Sequence, residues 1–194
     1  MLPMFLALLA TLSAHAASVP QVEWQRGFGG TNTDILAGLH LTSDGRYLLA
    51  GSSYSGATGN KTSTNSGDYD GWIIGLDANG NKLWDWSYGG TNTDTLRTVR
   101  QTTNGEVLVA GISFSKASGS KTSTNYGSSD GWLIRFNTNG TKLRDQAFGG
   151  TSIDSFGPLL LTDDGGCLVG GARSPVTNVT YAGELTFSRL QKCQ

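Results

Sequence analysis

The sequence predicts an all-β protein built from three four-stranded repeats. A motif recurs at a spacing of sixty residues: VEWQRGFGGTNTD at 22–34, KLWDWSYGGTNTD at 82–94 and KLRDQAFGGTSID at 142–154. Gly29, Gly89 and Gly149 share one slot, and Asp34, Asp94 and Asp154 share another. A fixed period of this size marks a repeat architecture. Between the motifs, short β-like runs alternate with Asp-Gly and Asn-Gly turn signals, and no window sustains a 3.6-residue period, so almost no helix is expected.

Each element follows from that pattern. In the first repeat, residues 35–42 form a strand ending at Ser43-Asp44-Gly45, a tight-turn signal;. Residues 46–53 return, and a polar stretch, 54–69, leads to a third strand at 71–77. The turn Ala78-Asn79-Gly80 then feeds a fourth strand, 81–88. The second repeat has the same order: 95–102, Asn104-Gly105, 106–113, a polar loop, 131–137, Asn139-Gly140 and 141–148. The third runs through 155–162, Asp164-Gly165-Gly166 and 167–173 to a third strand near 184–190, where it stops one strand short. Residues 22–28 match the fourth strand of the other copies. They are expected to complete the last set, tie the termini together and remove the sheet edges.

Residues 1–16 are read as an export signal: an apolar run, Phe5 to Ala10, precedes the small-residue site Ala14-His15-Ala16;. No basic residue precedes that run, a departure from the usual pattern. The segment is shorter than the roughly 20 apolar residues that span a bilayer, and no other stretch is apolar enough to do so. Residues 17–194 are expected to form one domain, with repeats at about 31–90, 91–150 and 151–194 plus the strand 22–28. The expected location is secreted, cell-surface or periplasmic. Fourteen basic and fifteen acidic residues are spread evenly, without the basic stripe that nucleic acid requires;. The 28 glycines fall at fixed places in each repeat, which indicates hairpins rather than a disordered tract;.

In an antiparallel meander, successive connections alternate between the two ends of the sheet. The tight turns therefore share one end, and the long polar loops share the other with the Gly-Gly-Thr connections. Long loops on a rigid scaffold are where binding usually resides.

The recurring Trp-x-x-x-(Tyr/Phe)-Gly-Gly-Thr, Asp-Gly-x-(Tyr/Val)-Leu-(Leu/Val)-Ala-Gly and Asp-Gly-Trp-(Ile/Leu)-Ile-x-(Leu/Phe) patterns resemble the β-propeller repeats of secreted bacterial proteins. These are the SBBP-like and related sixty-residue repeats common in exported proteins of Bacteroidetes. The resemblance covers Val22 to about Arg173. It implies one four-stranded blade per repeat and carries over no catalytic residue. Propellers have four to eight blades, so three repeats would close alone, pair with a second chain into a six-blade ring, or belong to something longer. A β-trefoil, which has three four-stranded repeats by construction, is the alternative fold.

At the long-loop end, Lys61-Thr62-Ser63-Thr64-Asn65 recurs as Lys121-Thr122-Ser123-Thr124-Asn125. These segments are candidates for hydrogen-bonding sugar hydroxyls, with Tyr54, Tyr69, Phe114 and Tyr126 as stacking faces. Cross-packing of the loops is the competing role for them. Asp34, Asp94 and Asp154, each three residues after a threonine, either hold a hard cation or accept backbone N–H groups to fix a turn. Asp77-Ala78-Asn79-Gly80-Asn81 is read as a hairpin turn, because the closing Glu of a calcium loop is absent;. Asp68, Asp70 and Asp130 precede Gly71 and Gly131 in the same turn-like context. Trp24, Trp72, Trp84, Trp86 and Trp132 are expected to pack between sheets. Cys167 and Cys193 are placed to pair, stapling the C-terminal tail to the last sheet.

The functional expectation is a non-enzymatic module that binds a glycan or protein at its long-loop face. No cofactor or metal is called for, and a homo-oligomer is one of the arrangements considered. The first alternative is a structural element that completes a larger propeller by oligomerisation. The second is a glycoside-type hydrolase built on loop acids, although His40 is the one histidine beyond the leader and no zinc-ligand spacing occurs;.

Overall fold

The computed structural model describes residues 19–173 and strand 184–190, with side chains for 19–173 and Leu190. The expected export signal, 1–16, and Cys193 lie outside the described residues. All regular structure among the described residues is β. The first sheet contains β1 (Asp34–Leu41), β2 (Tyr47–Ser53), β3 (Asp70–Leu76) and β4 (Lys82–Tyr88). The second contains β5 (Asp94–Gln101), β6 (Val107–Ser113), β7 (Asp130–Phe136) and β8 (Lys142–Phe148). The third contains β9 (Asp154–Leu161), β10 (Cys167–Arg173) and β11 (Glu184–Leu190). Every strand pairing is antiparallel, and within each sheet consecutive strands are neighbours. Three separate meanders differ from the shared barrel of a trefoil. Among the described residues, no helix is long and apolar enough to cross a membrane.

The tight turns are set by local chemistry. Gly80 and Gly140 adopt φ of 77° and 81°, a left-handed conformation open mainly to glycine;. Each donates its N–H to the residue three before it, Asp77 and Asn137, at 3.1 and 3.0 Å. The first strand of each repeat carries a bulge: Leu36 pairs with Gly51 and Gly38 with Ala50, leaving Ala37 without a partner. Arg97 is bypassed in the same way in β5. The extra residue resets the alternation, so Leu36 and Leu39 point to one face of β1.

Each sheet has a leading face, toward the preceding repeat, and a trailing face, toward the next. Leu48, Ala50 and Ile73 on the trailing face of the first sheet pack against Leu96, Val99, Val109, Trp132, Ile134 and Phe136 on the leading face of the second. Leu108 and Ala110 of the second sheet meet Phe156, Leu159 and Val169 of the third in the same manner. The middle sheet contacts both others, whereas among the described residues no substantial contact joins the first sheet to the third.

Residues 22–28 depart from expectation. They form no strand and do not complete the third sheet, whose order among the described residues is β11-β10-β9. Instead Trp24 meets Tyr47 of β2 edge-on, with ring centroids 5.7 Å apart, and lies over Gly80. Phe28 packs on Trp72, Ile74 and Leu76. This is the position that β4 holds on the second sheet, where Trp84 and Tyr88 cover the leading face and Trp86 lies over Gly140. The segment therefore occupies the place of a preceding fourth strand without the rest of that sheet. Burying the aromatic faces of Trp24 and Phe28 is the driving force for this choice.

Candidate functional site

The long-loop end is organised around two buried aspartates that the sequence reading did not single out. Asp85 of β4 accepts from Lys82 Nζ at 2.6 Å, Trp72 Nε1 at 3.0 Å, Ser63 Oγ at 2.8 Å, the amides of Thr62 and Ser63 at 3.1 Å, and the Thr62 hydroxyl. Asp145 repeats this with Lys142, Trp132, Ser123 and Thr122. Burial alone would raise both carboxyls, but these donors outweigh it and hold them well below the usual carboxylate range;. The signal available in the sequence was the recurring Lys-x-x-Asp of Lys82–Asp85 and Lys142–Asp145.

The residues singled out for ligand binding mostly point into this network. Lys61 is only 2% exposed; its ammonium donates to Ser63 O at 2.5 Å and Asn65 Oδ1 at 3.1 Å and lies 5.8 Å from the Trp72 ring centre. Burial lowers its pKa, opposed by Asp85, Asp34 and Asp70. Asn65 donates to Ser53 O and Asp68 O, and Lys121 to Ser123 O at 2.6 Å. Thr62 and Thr122 spend their hydroxyls on Asp85 and Asp145. Asn125 Oδ1 is buried without a partner. Tyr126 is exposed, and so is Tyr54, whose ring lies 5.1 Å from that of half-buried Tyr69. Tyr54 and Tyr69 line a shallow depression with Thr31, Asn32 and Thr33. Phe114 occupies the Tyr54 position in the second repeat, partly exposed.

Asp34, Asp94 and Asp154 each fix their own connection. Their Oδ2 atoms accept the amides of Gly30, Gly90 and Gly150 at 2.7–2.8 Å, and the first two also accept Ser55 Oγ and Ser115 Oγ. Among the described residues, no group of three or more His, Cys, Asp or Glu is arranged to hold a metal ion. Asp77 accepts the amides of Asn79 and Asn81 and shapes its hairpin turn.

Carboxylates from neighbouring sheets also approach one another. Asp70 and Asp94, both fully buried, flank Gly89; an added Cβ there would lie 2.3 Å from Asp70 Oδ1 and 2.8 Å from Asp94 Oδ2. Asp130 and Asp154 flank Gly149 in the same way. The Oδ1 atoms of all four are buried without a hydrogen-bond partner. Burial, reinforced by the Asp94 charge and opposed by the Ser66 amide, pushes Asp70 up to about 6. Asp130 is raised too, by burial first, with Asp154 adding to it against the Tyr126 amide.

An open apolar surface lies on the leading face of the first sheet. Leu36 and Leu39 are 62% and 59% exposed, while their counterparts Leu96 and Val99 are 1% and 0% exposed. Ile35 and Leu41 are exposed beside them. Residues 24–28 roof only part of this face, leaving a cavity of about 420 Å³ between Trp24, Phe28, Leu36, Leu39, Leu49 and Trp72. Cys167 is buried at the start of β10, opposite Leu190; its expected partner, Cys193, lies three residues beyond that strand and outside the described residues.

No protein-family model matches this chain, and no curated protein matches it either.

Proposed function

We propose that this protein is an exported, non-enzymatic structural module: an arc of three propeller blades that works by being completed into a larger ring. The carrying observation is the open leading face, where Leu36 and Leu39 stay in water although the same positions in the next two repeats are core. Fully burying a leucine contributes about 1.5–3 kcal/mol, so a patch of four exposed aliphatic side chains favours a covering surface. The internal hydrogen bonds of Lys61, Thr62, Asn65, Lys121 and Thr122 support the same reading, since these side chains serve the scaffold. The test is the mass of the native particle from its producing cells. It should exceed one chain and fall to one chain in a Leu36→Glu/Leu39→Glu variant. A native particle of one chain would end this reading.

A second reading rests on the paired rings of Tyr54 and Tyr69 beside Asn32 at the loop end, which suit a sugar or a protein loop;. Binding on a glycan array that disappears in Tyr54→Ala would support it, and a blank array would count against the sugar form.

A further inference from the structure

We infer that each joint between neighbouring sheets binds a hard divalent cation such as calcium, one ion at Asp70 and Asp94 and a second at Asp130 and Asp154. Each pair joins carboxylates from two sheets. Asp70 opens β3 and Asp94 opens β5, while Asp130 opens β7 and Asp154 opens β9. The main chain sets them side by side: Asp94 N donates to Tyr69 O at 2.6 Å, and Asp154 N to Ser129 O at 2.9 Å.

One oxygen of each carboxylate is committed. Asp70 Oδ2 accepts the Ser66 amide at 2.7 Å, and Asp94 Oδ2 accepts the Gly90 amide and the Ser115 hydroxyl, both at 2.7 Å. Asp130 Oδ2 accepts the Tyr126 amide at 2.6 Å, and Asp154 Oδ2 the Gly150 amide at 2.7 Å. The other oxygen, Oδ1, is buried in all four without a hydrogen-bond partner, in residues at most 4% exposed. A charge held in that state is costly, and a second carboxylate beside it adds to the cost.

The orphan oxygen of Asp70 is aimed at its partner. Asp70 Oδ1 and Asp94 Oδ2 lie 2.3 and 2.8 Å from a single point, the place of an added Cβ on Gly89. They are thus at most about 5 Å apart, a gap that calcium bridges with oxygen contacts of about 2.3–2.6 Å;. Asp130 Oδ1 and Asp154 Oδ2 lie 1.9 and 2.8 Å from the matching point on Gly149. Bare glycine at both places lets the pairs come this close.

The charges that face these pairs are engaged elsewhere. Lys61 faces Asp70, and Lys121 faces Asp94 and Asp130. Their ammonium groups donate to Ser63 O and Asn65 Oδ1, and to Ser123 O. Lys82 pairs with Asp85, and Lys142 with Asp145, within their own sheets. A dication turns the repulsion between Asp70 and Asp94 into a link between sheets. Main-chain carbonyls and water would complete a calcium shell of about six to eight oxygens. Two sites are expected rather than three, because the three atoms nearest the matching point on Gly29 all belong to Asp34. Neither site depends on what covers the leading face.

Equilibrium dialysis of the purified full chain, stripped with chelator and held at pH 7.5 against calcium chloride, tests this. Two ions per chain are expected, with Kd of about 10⁻⁴–10⁻³ M, the range of weak calcium sites. Asp70→Asn and Asp130→Asn should each bind one ion, and the double variant none. Calcium should raise the melting temperature of the wild type and leave that of the double variant unmoved. Urea melts check that the variants fold, and the wild-type count stands without them. A wild-type chain that binds no calcium at about 10 mM, far above that Kd range, would overturn the inference. So would binding that persists in the folded double variant, which would mark an adventitious ion only.

Discussion

The carboxylates of Asp70 and Asp94, from two different sheets, close on one another beside the bare Cα of Gly89, each keeping one buried oxygen without a donor. Water cannot share the charge there, so protonation of one partner relieves the junction. Asp70 sits at about 6 in the folded chain against an ordinary 3.8. Its stabilising protonated form is fully present below the unfolded value and is lost as pH rises through 6. Asp70→Asn should therefore remove a stability loss on the order of 2 kcal/mol between pH 4 and 7. Urea melts of both proteins across that range would check this; parallel pH profiles would refute it.

Asp85 and Asp145 set the opposite limb. Their folded values are depressed, so their contribution is present above the unfolded value of 3.8 and lost as pH falls further;. Asp85→Ala strands the Lys82 ammonium and the Trp72 N–H, and should cost about 3 kcal/mol or more at neutral pH. Asp85→Asn keeps one acceptor and should cost less. Thermal melts at pH 7 would rank the two.

Gly140 and Gly45 share a positive φ, but only Gly140 lies under an indole, with Trp86 ring carbon at 1.3 Å from the place a Cβ would take. Gly45 has nothing within 4 Å of that place. Gly45→Ala should cost about 1–2 kcal/mol from backbone strain alone. Gly140→Ala should add about 1–3 kcal/mol of overpacking. Equal losses in denaturant melts would mean that Trp86 moves aside freely.

Leu36 and Leu96 hold the same place in successive repeats with opposite exposure. In the isolated chain, Leu96→Ala should cost about 2–5 kcal/mol and Leu36→Ala under about 0.5 kcal/mol. Once the leading face is covered, Leu36→Ala should weaken association, so its effect will depend on protein concentration.

Non-reducing mass mapping of the purified chain is expected to recover Cys167 linked to Cys193. Recovery of both as free thiols would exclude the staple.

The strands and turns were legible because they are local. Asn79-Gly80 and Asn139-Gly140 announce hairpins by their own dihedral needs, and the sixty-residue period aligns every ladder. The site of residues 22–28 was not legible. Its pattern matches a fourth strand, but whether it finds β11 or the face of Trp72 and Ile74 depends on long-range packing that no local pattern records. The pairing of Asp70 with Asp94 escaped for the same reason, since they belong to different repeats and meet only through the stacking of sheets. Asp85 looked like one of the two charges on β4, and its burial shows only once Thr62 and Ser63 fold back over it.

Because the first two Gly-Gly-Thr connections are each anchored on the long loop that follows, Gly29 to Asn60 and Gly89 to Ser120, each of these two repeats carries its own joint. Excising 91–150 would bring Gly90 directly before Thr151, restoring the same junction sequence and setting Leu48 and Ile73 against Phe156 and Leu159. A gene of this kind can gain or lose whole units by recombination without breaking a fold, so the number of stacked sheets becomes a heritable variable rather than a fixed property.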